Sequence, residues 1–299
     1  MKLTNNWNLP QPIVDAVADD SYHKGNAHAS ATDLIMPSRI FALKNKHDID
    51  ITEDVSDRVP ALVGKVVHSI LQNSDTTSIS EKRLFSIIND WTISGQTDRL
   101  LFEDGILQDW KTCTVDSYNY KENEGFVEWE QQLNIYAYLW RENYPALELK
   151  SLEAVAILFG WSPSKRSRNP FYPPTPILKV NIPMWTNEQA YDWIKERVAS
   201  HKEALEELPL CSSEDRWHRG EKWAVMSTKR SRAVKLFDRE LEASQWLDNQ
   251  QDKNNLYIDH RFGESVRCQY WCSVAPFCDQ WQTEKLEREE HDAKADSPI

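Results

Sequence analysis

The dipeptide Asp104-Gly105 constrains this chain more than any other pair of residues. It lies between two strand-like runs, Trp91 to Phe102 and Gly105 to Thr114, and Asp-Gly in that setting is a β-hairpin signal. The turn folds Gly95-Gln96-Thr97-Asp98-Arg99-Leu100 back towards Asp109-Trp110-Lys111. Residues two apart on a strand share a face, so Asp109 and Lys111 project together while Trp110 points away, into the core. Two carboxylates and an ammonium therefore converge.

Converging carboxylates repel one another unless a positive charge sits between them. A hard divalent cation such as Mg²⁺ or Mn²⁺ supplies it through oxygen ligands. Such an ion polarises a phosphoryl oxygen and lowers the pKa of a bound water. Lys111 then orients or deprotonates that water, or stabilises charge in the transition state. A D-x-K triplet by itself is more often an exposed ion pair. Two further features stand beside it: Gly64-x-x-x-His68 on a helix before the hairpin, where Gly64 allows close packing, and Gln132-x-x-x-Tyr136 on one face of a helix after it. Each alone also fits an ordinary surface histidine or an amphipathic helix.

Around the hairpin the apolar period alternates between helix and strand. Ser30 caps a helix that Pro37 breaks, and Leu62, Val66, Val67, Ile70 and Leu71 mark a second helix over residues 60–72. Leu84, Ser86 and Ile88 read as strand, Val127 to Tyr144 as helix, and Leu152 to Trp161 as a buried strand. A Pro-rich basic loop follows from Pro163 to Pro176, then a strand over residues 177–182 and a long helix over 186–208 capped by Thr186. Residues 1–27 form an N-terminal extension with little pattern, 28–208 an α/β core, 209–282 a cysteine-bearing region packed on that core, and 283–299 a charged tail, solvated helix or disorder.

The chain has 299 residues and a formal net charge of −12. That argues against a protein that coats polyanions, although a local basic groove is enough to hold DNA. Lys165, Arg166 and Arg168 form one basic run, and Lys229, Arg230, Arg232 and Lys235 another; each fits either a phosphate-tracking groove or a solvated loop. Some of the many aromatic residues are available to stack on single-stranded bases, and most fit the core. No apolar run reaches the roughly 20 residues of a membrane helix. The polar start of the chain resembles no signal or transit peptide, which leaves the cytoplasm as the expected location.

Five cysteines, an odd number, speak against a disulfide framework in a reducing compartment. Cys268, Cys272 and Cys278 cluster, Cys211 opens the same region, and Cys113 follows the hairpin. Four thiolates hold iron–sulfur or zinc, or these are buried apolar side chains beside Trp271 and Trp281.

The ordered set Gly64-x-x-x-His68, Gly95-x-x-Asp98, Asp109-x-Lys111 and Gln132-x-x-x-Tyr136 resembles the RecB-like branch of the PD-(D/E)XK nuclease superfamily, in particular its single-domain phage-type exonucleases and CRISPR-associated adaptation nucleases. The resemblance is close over residues 28–145 and loose over 210–282. It implies a restriction-endonuclease-like core, a mixed central sheet flanked by helices. It makes His68, Asp98, Asp109 and the carbonyl of Trp110 the ligands of Mg²⁺ or Mn²⁺, Lys111 the catalytic lysine, and Gln132 and Tyr136 residues that support the site and contact DNA. Thr97 stands where some members have proline. Members of this branch often carry a [4Fe–4S] cluster on one early and three late cysteines. Here no cysteine precedes Cys113 and the first gap of the trio is three residues rather than two, so the resemblance leaves Cys211 as the fourth ligand, with structural zinc as the alternative. The implied function is a metal-dependent DNA exonuclease of recombination, repair or replication, acting on DNA ends or single strands, and in the host cytoplasm where such an enzyme is phage-encoded. The alternatives are a structure-specific or single-strand endonuclease, and a catalytically silent DNA-binding subunit of a larger complex.

Overall fold

The structure is a computed structural model that describes residues 1–19, 24–75, 78–251 and 253–295. It divides into two compact units, one of residues 1–42 and 52–208, the other of residues 43–51 and 209–299.

The first unit opens with a short strand β1 (Lys2–Thr4) and a helix α1 (Gln11–Ala18). Strand β2 (Ala29–Ser30) leads into α2 (Ala31–Ile35), where Ser30 and Asp33 form a reciprocal capping box, and Pro37 separates α2 from α3 (Ser38–His47), whose residues from Leu43 on belong to the second unit. Strand β3 (Thr52–Asp54) runs parallel to β1, and α4 (Val59–Ser74) follows. Next come β4 (Ile79–Ile88), β5 (Trp91–Leu101) and β6 (Ile106–Thr114), then the helices α5 (Val115–Asn123) and α6 (Val127–Asn143). The unit ends with β7 (Ser151–Phe159), α7 (Pro163–Arg168), β8 (Ile177–Ile182) and α8 (Asn187–Glu206). The basic loop after β7 thus contains a helical turn, and α5, capped by the Thr114 side chain, extends past the expected hairpin.

Two tight turns set the register of the site. Asn89 and Asp90 both adopt positive φ, 48° and 62°, the conformation of a two-residue type I′ hairpin turn. They join β4 to β5, which pair antiparallel from Ile88–Trp91 to Ile79–Leu100, with a break at Glu81 and Asp98. Gly105, at φ 66°, closes the β5–β6 hairpin, and a Cβ there would lie 2.5 Å from the Glu148 carbonyl. Glycine is required at that position on both counts.

Among the described residues, the resulting sheet has six strands in the order β2-β5-β6-β7-β8, with β4 on the other edge of β5. It is mixed: β6 and β7 are parallel, while β4–β5, β5–β6 and β7–β8 are antiparallel. Helix α6 is the centre of the core. Leu133, Ile135, Ala137 and Leu139 are fully buried on it and pack with Leu100, Leu107, Leu152 and Ile194. Helix α4 is different in kind, because none of its residues is buried and Val66 and Ile70 of its apolar stripe are exposed.

The second unit contains β9 (His218–Arg219), the strands β10 (Lys222–Ser227) and β11 (Arg230–Phe237), α9 (Glu240–Asp248), β12 (Leu256–Arg261), β13 (Glu264–Ser265), α10 (Val266–Tyr270) and α11 (Asp279–Ala295). β10 lies between β11 and β12 in an antiparallel sheet. The charged tail is helical as far as Ala295, and residues 296–299 lie outside the described part. No helix of the described residues is long and apolar enough to cross a membrane.

Candidate active site

The site forms where two paired strands separate. β5 and β6 pair from Leu101–Ile106 to Arg99–Gln108. Asp98 and Asp109 are the next residues beyond that pair. There the Asp98 carboxylate accepts the backbone N–H of Trp110 at 2.7 Å, as a strand neighbour's carbonyl otherwise would. The N–H and C=O of a strand residue point the same way, so the Trp110 carbonyl faces the same fork.

Gly95 lets α6 approach this fork. A Cβ there would fall 2.7 Å from Leu139 and 2.8 Å from Tyr136. With the helix that close, the Lys111 ammonium donates to Gln132 Oε1 at 2.6 Å, and Gln132 Nε2 donates to the Tyr136 hydroxyl at 2.7 Å. Lys111 is thereby held from α6 as well as from its own strand. Gly64 has a looser role than the sequence implies: a Cβ there would meet Thr112 at an ordinary 3.4 Å.

Opposite α6, His68 of α4 brings Nδ1 to 3.3 Å from Asp98 Oδ1. A third carboxylate joins them. The ligand atoms of His68, Glu81 and Asp98 all lie within 4.8 Å of one another. The flanking pairs Ser80–Arg99 and Lys82–Thr97 place Glu81 directly across from Asp98, and Glu81 sits at φ 52° in mid-strand. That left-handed backbone is costly for a residue with a Cβ, and strain of this sort gathers at functional sites. Arg83 and Gln96 hold the group in place. Arg83 donates to Gln96 Oε1 at 2.5 Å, and Gln96 donates to Glu81.

The charges are unbalanced in the manner of a cation site. Burial pushes the Asp109 carboxyl up to about 6; the Lys111 ammonium opposes that shift and the Asp98 charge adds to it. Asp109 Oδ2 is 2.6 Å from Lys111 Nζ yet has no partner with hydrogen-bond geometry. Burial also raises Glu81, helped by Asp98, and the hydrogen bond to Asp98 raises His68. The hard oxygens of Glu81 and Asp98 with one imidazole suit Mg²⁺ or Mn²⁺, while Asp109 lies outside that group of ligand atoms, beside Lys111.

The sequence expectation and the structure also differ over Glu81 and Trp110. Glu81 was not among the expected ligands, although counting back from the Asn89-Asp90 turn puts it opposite Asp98. Trp110 is half-buried rather than in the core, with the Arg99 guanidinium 5.9 Å from its ring centroid. Cys113, two residues past Lys111, packs against the core.

The cysteines form a separate group in the second unit. Burial pushes the Cys268 thiol up to about 12, with Cys272, Glu284 and Cys278 adding to the shift. Cys272 is raised by burial, and Cys278 adds to it. The backbone of Cys211 is tied to Gln280, two residues past Cys278, whose side-chain amide accepts from the Cys211 N–H at 2.9 Å and donates to its carbonyl at 3.0 Å. Among the described residues, the group whose ligand atoms meet within 4.8 Å is His68, Glu81 and Asp98, and the cysteines are not part of it.

A model of the PD-(D/E)XK nuclease superfamily matches residues 31–279. Among solved structures, the chain is similar to SSO0001, at 15% identity over 62% of this chain and 83% of that one, with a TM-score of 0.44. It is also similar to a phage-related exonuclease from Haemophilus somnus 129PT, at 14% identity over 58% and 74% of the two chains, with a TM-score of 0.29. No curated protein matches the chain. The family match spans the fork, both flanking helices and most of the cysteine-bearing region, and the chain belongs to the PD-(D/E)XK nuclease superfamily.

Proposed function

We propose that this nuclease is a Mg²⁺- or Mn²⁺-dependent DNA exonuclease. The observation that carries the proposal is the meeting of the Glu81 and Asp98 carboxylates with the His68 imidazole at a strand fork whose other strand carries Asp109 beside Lys111, a lysine held from a second element. His68, Glu81, Asp98, Asp109 and the Trp110 carbonyl would hold the ion. When bound, it would activate a water and neutralise charge on the scissile phosphate. The chain's own part is to fix geometry. Gln132 and Tyr136 hold the Lys111 ammonium beside Asp109, where it can orient the attacking water or take its proton. The fork keeps Asp98 from turning away by giving it the Trp110 amide. DNA ends or single strands are the proposed substrate, in recombination, repair or replication, and the cytoplasm the proposed location.

Cys211, Cys268, Cys272 and Cys278 would hold a [4Fe–4S] cluster, or zinc, as a structural staple in the second unit. Brown colour with stoichiometric iron supports the cluster, and colourless protein with stoichiometric zinc replaces it.

End-labelled linear DNA and closed circular DNA, each with and without Mn²⁺, test the main proposal. Metal-dependent loss of linear DNA alone is the expected result, with Lys111→Ala inactive. Cleavage of the circle would make the enzyme an endonuclease. Equal inactivity of wild type and Lys111→Ala on both substrates would remove the catalytic reading and leave a DNA-binding subunit.

A further inference from the structure

The loop between β7 and β8 holds an aromatic ring out in solvent. Phe171 is 92% exposed, the highest value among the exposed large apolar side chains of the described residues. Its backbone, by contrast, is tied down on both sides. Asn169 Oδ1 accepts the Phe171 N–H at 3.0 Å, and the Arg166 guanidinium donates to the carbonyls of Pro170 and Tyr172, the residues that flank Phe171, at 2.5 and 2.9 Å. The loop base is equally fixed. Tyr172 is buried and its hydroxyl accepts the Ser162 N–H, Trp161 donates to the Pro173 carbonyl, and Leu158 N–H donates to the Pro176 carbonyl. Pro170, Pro173 and Pro174 limit the loop further. A ring left in water by accident would sit on a loop free to fold it away, and this one is not free.

Two more observations say what the ring is for. Arg166 is spent on the clamp, while Lys165 and Arg168 beside it are exposed cations on a chain of net charge −12, Arg168 being oriented by hydrogen bonds to the Ser164 carbonyl and hydroxyl at 2.9 and 3.2 Å. The loop also begins at the functional end of the sheet. β7 runs parallel to β6 with Ala156 beside Lys111, so Gly160 lies four residues beyond the catalytic level, about 13 Å at the strand rise. An aromatic ring this exposed and flanked by cations suits a base and its phosphates.

We propose that Phe171 is a stacking platform for an unpaired base of the nucleic-acid strand entering the site, with Lys165 and Arg168 taking the adjacent phosphates. This rests on the nuclease reading above and names the form of its substrate, a single-stranded or frayed end. A platform of this kind engages any base by its π-face, so it selects for unpaired strands and not for sequence.

The test uses the full chain with Ca²⁺ in place of the catalytic ion, and the fluorescence anisotropy of labelled oligothymidylate and of a blunt duplex. Phe171→Ala is expected to weaken oligothymidylate binding about tenfold, to affect the duplex much less, and Phe171→Trp to restore binding. Wild-type affinity in Phe171→Ala, or equal loss on both probes, overturns the proposal. So does a Phe171→Ala protein whose oligomeric state changes while its affinity does not, since the ring would then serve contact between copies. Metal-dependent cleavage of labelled DNA by the wild type is measured alongside. Inactive protein that still shows the Phe171 effect refutes the nuclease reading alone, and active protein without the effect refutes the stacking platform alone.

Discussion

At the scale of single residues, Glu81 carries the sharpest expectation. Its carboxylate shares a 4.8 Å neighbourhood with His68 and Asp98, so Glu81→Gln removes a charge without changing the shape. Mn²⁺ affinity measured by calorimetry should fall at least about tenfold, since even residues that merely orient ligands carry that much. Unchanged affinity would return Glu81 to the status of a strained surface acid. Gly95→Ala acts from the other side of the fork. The added Cβ would strike Tyr136 and Leu139, and α6 must move. A loss of about 1–3 kcal/mol in denaturant stability is expected, together with slower cleavage, because Tyr136 positions Gln132 and Gln132 positions Lys111. A variant with wild-type stability and rate would show that the helix gives way without cost. Asp109 and Lys111 were legible in the sequence because strand alternation and one turn suffice to bring them together. Glu81 was not, because its run Ser80-Glu81-Lys82-Arg83 reads as solvated, and its orientation depends on a cross-strand register and a left-handed φ that no local pattern announces.

At the scale of elements, α4 and α8 behave as opposites. α4 brings His68 to the site and has no buried residue, so local opening of this helix should be easy. An ion bound through His68 opposes that opening by up to about 2.7 kcal/mol at a hundredfold excess over Kd. Hydrogen exchange over residues 59–74 should therefore slow in Mn²⁺, and His68→Ala should abolish the slowing. Exchange indifferent to Mn²⁺ in the wild type would detach His68 from the ion. α8 is anchored instead. His201 is fully buried, its Nε2 2.8 Å from the Asp33 carbonyl and its Nδ1 3.0 Å from Ser38 Oγ. Burial lowers its pKa from 6.5 to about 4. Between those values the unfolded chain binds a proton that the native one refuses. Stability is thus complete above pH 6.5 and declines as the pH falls towards 4, by about 2 kcal/mol at pH 5. Denaturation of wild type and His201→Gln at pH 7 and pH 5 isolates the contribution; parallel behaviour of the two would exclude it. The amphipathic period made both helices legible, but not which of them is buried. α5 escaped because Val115 and Tyr118 are its only buried positions, too few to impose a period.

At the scale of the whole molecule, the two units are not consecutive lengths of chain. Residues 43–51 lie inside the span of the first unit and belong with residues 209–299; His47 stacks on Phe277 at 4.3 Å and an interplanar angle of 5°. A sequence pattern records neighbours along the chain, so the four-part division by composition had no means of assigning this segment. The second unit also lacks a long apolar period of its own: β9 and β13 have two residues each, and α10 has five and none buried. On the proposal above, a unit of this kind depends on what its cysteines hold. Cys278 is the buried member of the group, so Cys278→Ser should lower bound iron or zinc below one centre per chain. Proteolysis within residues 209–282 should quicken in parallel, because a structural metal supplies folding free energy and not only ligation. Cys113→Ser is the control, since Cys113 packs against the core of the other unit, and it should leave both readouts at wild-type values. Metal content unaffected by Cys278→Ser, or lost equally with Cys113→Ser, would show that the thiols of the second unit are apolar packing and hold no metal.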